Sequence, residues 1–551
     1  MADSTALALG PHPLGLRPLG NALMQRGHDT RRTGLGALAR MDDSLLILLL
    51  TEYVDDAALC RFAATSRMAY ALASMPSVWR ERYFIRWGAC VLQWCGSWRG
   101  TYVARSGRGR TDAERWRRLS EQAARFHVSL RGVYSDAVYR AFLTAAFQPL
   151  AFLQYHGQLE RRRAARFRKS AAERADRGLM VPDVLERISA RTTSHDAFMA
   201  RFARENRPCI IAHATDDWPC RRWTLDYVAQ HWAQTEFQAE AVRMHGATYI
   251  QYARSPGGGA GAGCLPGTVP DTSPYYLFDA EFAACNNEAA DGWRVPDLLA
   301  RILPYGGASG HPNTGCASTD EHTQADLFSL FQGSRPDYRW LIAGPARSGS
   351  CGSKYWMLLP PCVTPPGVFV NEDESEVTAP ASLSEWMLDH YAETKRWHGR
   401  RELGGDGLLV DGVCHEGEVM YVPSGWWHLV VNLDESVALT QNFVSVAELP
   451  AVLAFMKHKP EQVSGFKTEL APTEPSRYDA FKSLLNAYSP DLAARAIAEA
   501  DARAAAPMPR ATVDWRERLR DGGEQEGAHS GASGGGFALA IEADELGELP
   551  W

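Results

Sequence analysis

One histidine, His428, stands where the sequence most strongly suggests chemistry. It follows Pro423–Trp427, whose first three residues turn the chain, and it lies between the strand-like segment Val419–Val422 and a β-rich run, Leu429–Phe443. A histidine at the exit of such a hairpin is placed like a metal ligand on the rim of a small β-barrel. The alternative is a rim histidine that only makes hydrogen bonds. We predict that His428 is a metal ligand.

Residues 417–443 resemble the distal half of a JmjC double-stranded β-helix, the barrel of the iron(II)- and 2-oxoglutarate-dependent oxygenases. The resemblance is greatest to the Jumonji subgroup that acts on histone arginines or hydroxylates lysines. It implies an α+β fold in which helices flank a jelly-roll, cupin-like barrel. It also implies Fe(II) and 2-oxoglutarate as cofactors, and a protein side chain as the substrate.

The rest of the expected iron site has no counterpart in the sequence. These oxygenases hold iron with two histidines and one carboxylate, and two of the three come as His-x-Asp or His-x-Glu on one face of a strand. None of the 16 histidines is followed two positions later by Asp or Glu. In His415-Glu416 the two residues are adjacent, so their side chains would point to opposite faces. The chain is therefore expected to lack two of the three metal ligands.

The resemblance also locates the gap. Residues 338–350 resemble the strand and turn that lead into His-x-Asp, and residues 352–361 resemble the strand that follows. Family members have roughly twenty residues between the positions of Ser350 and Lys354, and strands are about five or six residues long. Here only Cys351, Gly352 and Ser353 join the two. We predict a barrel that lacks about one strand, and with it an asparagine that helps to bind the cosubstrate.

Three further residues receive roles through the resemblance, and no catalytic residue is assigned. Lys354 matches the lysine that holds the far carboxylate of 2-oxoglutarate, for which it supplies a point charge. Thr440 matches a threonine whose hydroxyl binds 2-oxoglutarate, and Ser350 stands where the family has a threonine near the cosubstrate. The structural alternatives are a solvent-facing lysine, a β-forming threonine and a turn serine.

Residues 41–84 form a second recognisable segment, with the pattern of short amphipathic helices. Asp42 and Asp55 are placed as helix caps, and Pro76 is placed to begin a third helix. The apolar pattern that ends at Trp79 resembles an F-box, which implies a Skp-type adaptor and a cullin ubiquitin ligase as partners. An ordinary helical bundle is the alternative interpretation.

Between these segments, residues 249–252 and 271–279 match the first strands of the barrel. Residues 161–177 contain eight Lys or Arg, and we interpret them as a solvated helix face or a linker rather than a nuclear-import or nucleic-acid patch. The predicted order is a disordered arm over 1–40, the F-box over 41–84, a helical connector with a basic insertion over 85–193, the JmjC domain over 194–465, C-terminal helices over 466–520 and an acidic disordered tail over 521–551.

Composition excludes several other classes of protein. The chain has 551 residues, enough for several domains, and its net charge of −7 leaves no global footprint for direct nucleic-acid binding. No apolar run reaches membrane-spanning length. Its 11 cysteines are scattered without a Cys-x-x-Cys pair, as is typical of reduced intracellular proteins. We expect a nuclear or cytoplasmic location, or both.

Three hypotheses about function follow. The first is an F-box/Jumonji oxygenase whose coding sequence has lost an in-frame segment, and whose natural form hydroxylates or demethylates a protein side chain. The second is a pseudoenzyme that binds a partner through its barrel and recruits a ligase. The third is a substrate adaptor without small-molecule chemistry. We favour the first, because deleting a strand would leave neighbouring backbone groups unpaired, and we predict that the chain as written is inactive.

Overall fold

The computed structural model mixes helices and strands, as predicted for an α+β protein. It describes residues 30–106, 132–147, 149–167, 184–254, 271, 274–283, 289, 292–293, 295–296, 298–299, 326–344, 352–371, 374–380, 382–467 and 475–505. Ser350, residues 168–177 of the basic segment and the acidic tail lie outside these ranges. Among the described helices, none has both the length and the apolar composition that crossing a membrane requires.

The secondary structure is as follows. The α-helices are α1 Arg31–Leu35, α2 Asp43–Leu48, α3 Asp56–Ala63, α4 Arg67–Ala73, α5 Pro76–Trp87, α6 Trp98–Arg105, α7 Asp136–Ala146, α8 Pro149–Phe167, α9 His195–Phe198, α10 Leu225–His231, α11 Gly246–Arg254, α12 Leu383–His398, α13 Leu449–His458, α14 Arg477–Tyr488 and α15 Pro490–Ala505. The strands are β1 Cys90–Val91, β2 Arg187–Ser189, β3 Cys209–Ala212, β4 Glu236–Ala239, β5 Val242–His245, β6 Leu277–Asp279, β7 Arg339–Gly344, β8 Lys354–Leu359, β9 Phe369–Val370, β10 Val377–Thr378, β11 Val410–Cys414, β12 Val419–Tyr421, β13 Trp427–Asn432 and β14 Ser436–Gln441.

The N-terminal helices begin at the predicted caps. The Asp42 carboxylate accepts a hydrogen bond from the backbone N–H of Leu45 at 2.7 Å, and Asp55 caps α3 in the same way. Pro76 is the first residue of α5. Such caps satisfy backbone donors that have no partner within the helix.

Residues 31–40 do not belong to a disordered arm, contrary to the prediction. They form α1 and a 3-10 turn, Gly36–Arg40. Arg31 is buried and pairs with Asp43 at 2.6 Å, while Asp43 also accepts a 2.5 Å hydrogen bond from the Ser135 hydroxyl. This buried ion pair attaches the segment to α2 and α7.

Three sheets surround the candidate site. The Lys354 sheet has the order β11-β8-β13, the Thr440 sheet has the order β14-β7-β6, and the Ile210 sheet has the order β12-β3-β2. A further three-stranded sheet, β1-β5-β4, contacts β6 of the Thr440 sheet, and β10 and β9 form a two-stranded sheet. The described strands do not close into the predicted barrel.

Side chains alternate between the two faces of each strand. The two faces of a sheet therefore pack in different hydrophobic clusters. On β8, Trp356 and Leu358 pack in one cluster with Ile210 and Met420 of the Ile210 sheet. We call this side of β8 the inner face. The opposite face of the Lys354 sheet packs its apolar side chains against Phe147, α8 and α12. The outer face of the Thr440 sheet shares a core with the N-terminal helices.

One predicted strand assignment was wrong. Tyr249 and Tyr252 lie in α11, where their spacing of three puts both buried rings on one helix face. The Tyr249 hydroxyl also donates to the Ala343 carbonyl of β7 at 2.6 Å. The predicted β-rich run, Leu429–Phe443, contains most of β13 and all of β14, and the chain turns between these two strands. The Ser353 N–H donates to Asp434 in that turn at 3.3 Å.

Candidate functional site

Lys354 begins β8, the central strand of its sheet. Its neighbours across the sheet are Cys414 on β11 and Asn432 on β13. Residues directly opposite each other in antiparallel strands share a face. The three side chains therefore lie together on the inner face with Trp356.

The Lys354 side chain is half-buried on the inner face. It donates a 2.8 Å hydrogen bond to the Asn432 side-chain carbonyl. Burial lowers the pKa of Lys354 to about 8, and it raises the pKa of the neighbouring Cys414 thiol to about 12. A cation with a neutral hydrogen-bond acceptor is suited to pairing with a bound carboxylate, because the low local dielectric strengthens that attraction.

The Thr440 sheet approaches the Lys354 sheet at Asn432. A Cβ atom added at Gly344, the last residue of β7, would lie 2.6 Å from the Asn432 amide nitrogen and closer still to the Tyr276 ring. Gly344 is opposite Ser436 of β14. Glycine therefore lets β7 pass close to Asn432, the hydrogen-bond partner of Lys354.

His428 lies on the same face of β13 as Asn432, four residues before it, and it is exposed. Its Nδ1 is 3.1 Å from the Trp426 carbonyl oxygen. If Nδ1 donates this hydrogen bond, the ring is fixed and Nε2 is left with the lone pair that a metal would bind. The ring of Trp356 lies beside it, with 6.1 Å between the centroids.

The described residues do not fit an iron(II) site. They contain no cluster of three or more His, Cys, Asp or Glu side chains that could hold a metal. His428 would supply one nitrogen, whereas the site expected from the resemblance needs two histidines and a carboxylate. No step that depends on iron can be derived for this chain.

Lys354 and Thr440, which were both predicted to bind 2-oxoglutarate, lie in different sheets, on β8 and β14. No hydrogen bond between described residues joins them. Thr440 is opposite Trp340 of β7, and it lies four residues beyond Ser436, or roughly 13 Å along the strand. Ser350 lies outside the described residues, so its predicted role stays a prediction.

Sequence reasoning missed three polar groups on the inner faces. Asn432 is the hydrogen-bond partner of Lys354, while the Trp356 indole N–H and the Ser436 hydroxyl are buried without a hydrogen-bond partner. Asn432 could have been found, because positions 428, 430 and 432 share a face when side chains alternate. Trp356 could have been found in the same way from Lys354, whereas Ser436 gave no such signal, because it lies in a different sheet.

A second polar cluster supports β8 from its outer face. The Tyr355 hydroxyl donates to the Asp411 carboxylate at 2.6 Å, and the Lys395 ammonium of α12 donates to the same oxygen at 2.5 Å. Burial raises the pKa of Tyr355 well above its ordinary value. These bonds tie β8, β11 and α12 together and so fix the strand that carries Lys354.

Comparisons with known proteins identify relatives of the chain. No protein-family model matches the sequence. Arginine-specific demethylase JMJ22 of Arabidopsis thaliana is 30% identical over 475 residues, which cover 82% of this chain and 77% of that protein. The bifunctional arginine demethylase and lysyl-hydroxylase psr-1 of Caenorhabditis elegans is 24% identical over 328 residues, 55% of this chain and 72% of the relative.

A third relative is the 2-oxoglutarate and iron-dependent oxygenase JMJD4 homolog of Drosophila melanogaster. It is 21% identical over 311 residues, which cover 50% of this chain and 68% of the relative. The resemblance to the Jumonji subgroup is thereby confirmed. The third relative is named for its dependence on iron and 2-oxoglutarate. The chain belongs to the JmjC-type family of arginine demethylases and lysyl hydroxylases.

Proposed function

We propose that the natural form of this protein is an Fe(II)- and 2-oxoglutarate-dependent oxygenase. Its substrate would be an arginine or lysine side chain of a protein, and its action hydroxylation or demethylation. The observation that carries the proposal is the shared inner face of β8 and β13, which holds Lys354 and His428. We further propose that the chain as written is inactive, because it lacks the His-x-Asp pair.

Within this proposal, the chain's own residues have limited tasks. Lys354 holds the far carboxylate of 2-oxoglutarate in place of its present partner, Asn432. His428 supplies one metal-binding nitrogen, and Thr440 and Ser350 contribute hydroxyl groups to the cosubstrate site. The resemblance assigns these tasks, and support for the first comes from the half-buried position of Lys354 beside a neutral hydrogen-bond acceptor.

The test compares the full chain with a variant that carries a His-x-Asp strand inserted after Ser350. Manganese(II) binding, read by its electron paramagnetic resonance signal, and 2-oxoglutarate turnover with iron are measured for both. We expect neither in the unmodified chain and both in the repaired variant, with loss of metal binding when His428→Ala is added to it. Stoichiometric metal binding and turnover by the unmodified chain would contradict the proposed inactivity.

A second candidate function is a ligase adaptor, alone or alongside the oxygenase. The observation that favours it is an exposed apolar strip on the first F-box-like helices. Leu45 and Leu48 of α2 are 49% and 44% exposed, and Tyr53 is 72% exposed. Exposed apolar side chains close together are a common mark of a protein-binding surface. A folded repaired variant that binds neither metal nor 2-oxoglutarate, yet captures a Skp-type adaptor, would favour this candidate.

A further inference from the structure

A short hairpin beyond the end of β8 presents both of its faces to solvent. Its strands, β9 and β10, pair Phe369 with Thr378 and Val370 with Val377. Phe369 is 60% exposed and Val377 is 54% exposed, and they lie on opposite faces of the hairpin. Large apolar side chains that are close together and exposed to water are a common mark of a protein-binding surface.

The hairpin is held in one conformation by polar contacts. The side-chain oxygen of Asn371 accepts a hydrogen bond from the Glu376 amide at 2.9 Å, and this bond closes the turn. Near the tip, Glu374 pairs at 2.7 Å with Lys459, which follows α13. A surface that is fixed before binding avoids part of the entropic cost of ordering it on binding.

The hairpin belongs to an acidic part of the chain. Residues 355–394 contain seven Asp or Glu and no Lys or Arg, and four of the seven carboxylates fall within residues 372–376. The ion pair with Lys459 neutralises one of the four. Glu376 is exposed and directly precedes β10, so the alternation of side chains puts it on the same face as Thr378 and Phe369.

A ring and a carboxylate on one face are complementary to an arginine side chain. A guanidinium group can stack on the Phe369 ring while it donates hydrogen bonds to the Glu376 carboxylate. A lysine ammonium is a compact, strongly hydrated charge without a planar surface, so it would gain less from the ring. The acidic surroundings favour a partner that carries several positive charges.

The connection to the hairpin begins beside the candidate site. His428 is opposite Leu358, near the end of β8 from which this connection leaves. A Cβ atom added at Gly425, in the turn before His428, would lie 3.0 Å from Pro361. Eight residues of extended chain span at most about 28 Å, so Phe369 lies within that distance of Pro361. A substrate segment of about ten residues is long enough to cover it.

We propose that the β9–β10 hairpin is a docking site for an arginine-containing basic segment of the protein substrate, outside the side chain that reacts. Phe369 and Glu376 receive an arginine of that segment, and the neighbouring carboxylates attract its other positive charges. The proposal rests on the proposed function, because it takes the docked segment to belong to the substrate.

The test measures binding of a fluorescein-labelled ten-residue peptide of alternating arginine and glycine to the full chain, by fluorescence anisotropy. We expect saturable binding that weakens as salt is added. Phe369→Ser and Glu376→Gln should each weaken binding about two- to fivefold, and the double variant roughly tenfold. A lysine-glycine peptide of the same length should bind more weakly than the arginine-glycine peptide.

Matched controls are Ile85→Ser and Glu52→Gln, since Ile85 is 65% exposed and Glu52 is also exposed, both far along the chain from the hairpin. These variants should leave affinity unchanged, and thermal unfolding should be the same for all. Absence of binding, equal loss in the controls, full affinity in the double variant or equal affinity for the lysine peptide would overturn the proposal. So would self-association of the chain that Phe369→Ser abolishes, because the occupant would then be a second copy.

The same measurement separates this proposal from the proposed reaction. Peptide binding to the unmodified chain requires neither iron nor 2-oxoglutarate. If the variant with the inserted His-x-Asp strand binds the peptide at the hairpin but shows no turnover, the docking site is supported and the oxygenase is contradicted. Turnover by that variant without peptide binding would support the oxygenase and contradict the docking site.

Discussion

At the scale of single residues, Lys354 is the feature with the clearest energetic consequence. Burial of an ammonium group costs free energy unless a charged partner offsets it. Here the hydrogen-bond acceptor is the neutral Asn432 side chain. The fall of the Lys354 pKa from 10.5 to about 8 corresponds to about 3 kcal/mol, before any allowance for its partial exposure. Lys354 therefore destabilises the folded chain at neutral pH.

We predict that Lys354→Met stabilises the chain as written by about 1 to 3 kcal/mol at pH 7. The methionine side chain has a similar length and carries no charge, while the lost bond to Asn432 offsets part of the gain. The measurement is the free energy of unfolding from urea denaturation. As a matched control, Lys395→Met should be destabilising, because it removes the ion pair with Asp411. Equal effects at the two positions would contradict the assignment.

The pH dependence of the same residue gives a second prediction. Because the folded pKa lies below the unfolded value, the unfolded chain binds more protons between about pH 8 and 10.5, and this contribution to stability rises with pH. Buried tyrosines and cysteines titrate in the same range and lower the stability as the pH rises. The quantity to measure is therefore the difference in the free energy of unfolding between Lys354→Met and the unmodified chain. The advantage of Lys354→Met over the unmodified chain should shrink from pH 8 to 10.5, and it should be constant below pH 7.

At the scale of elements, helix starts were predictable and strand partners were not. Asp42, Asp55 and Pro76 act within one helical turn, so local sequence was enough to place them. Tyr249–Tyr252 was assigned to a strand, because its helical packing depends on β6 and β7, far along the chain. The separation of β8 from β14 into different sheets likewise depends on pairing that no local pattern encodes.

The exposed strip on α2 gives the prediction at this scale. Leu45→Asp with Leu48→Asp should abolish capture of a Skp-type adaptor by the full chain and change its stability by less than about 0.5 kcal/mol per site. The measurements are co-purification and thermal unfolding. Leu92→Asp is the matched control, since Leu92 is 55% exposed outside the F-box-like helices. Leu59→Asp is unsuitable, because Leu59 is fully buried and its substitution would disrupt the helices themselves.

At the scale of the whole molecule, the predicted module boundaries do not divide the hydrophobic core. One cluster of buried residues extends from Leu35 in the N-terminal helices to Ala343 in the Thr440 sheet. Asp271 is at its polar centre and accepts 2.8 Å hydrogen bonds from the Trp98 indole and the Tyr252 hydroxyl. The sequence indicated the order of segments, but contacts between residues this distant in sequence could not be read from it.

We therefore predict one cooperative unfolding transition for the N-terminal helices and the Thr440 sheet. Trp98→Phe leaves Asp271 with one donor fewer, so it should lower the stability of both regions together, by about 1 to 3 kcal/mol. Hydrogen exchange resolved by peptide would show it. Trp218→Phe is the control, because the Trp218 indole N–H is already without a partner. Destabilisation confined to the N-terminal helices would contradict a shared core.

The hydrogen bond between Trp98 and Asp271 also bears on synthesis, because it can form only after Asp271 has emerged from the ribosome. The two residues are 173 positions apart. At ordinary elongation rates, roughly 9 to 35 seconds pass between their emergence. Throughout that interval the aromatic face of α6 has no counterpart from the later chain. The nascent N-terminal segment is thus a natural client for chaperones, and nascent chains halted before Asp271 should bind them more than chains halted beyond β7.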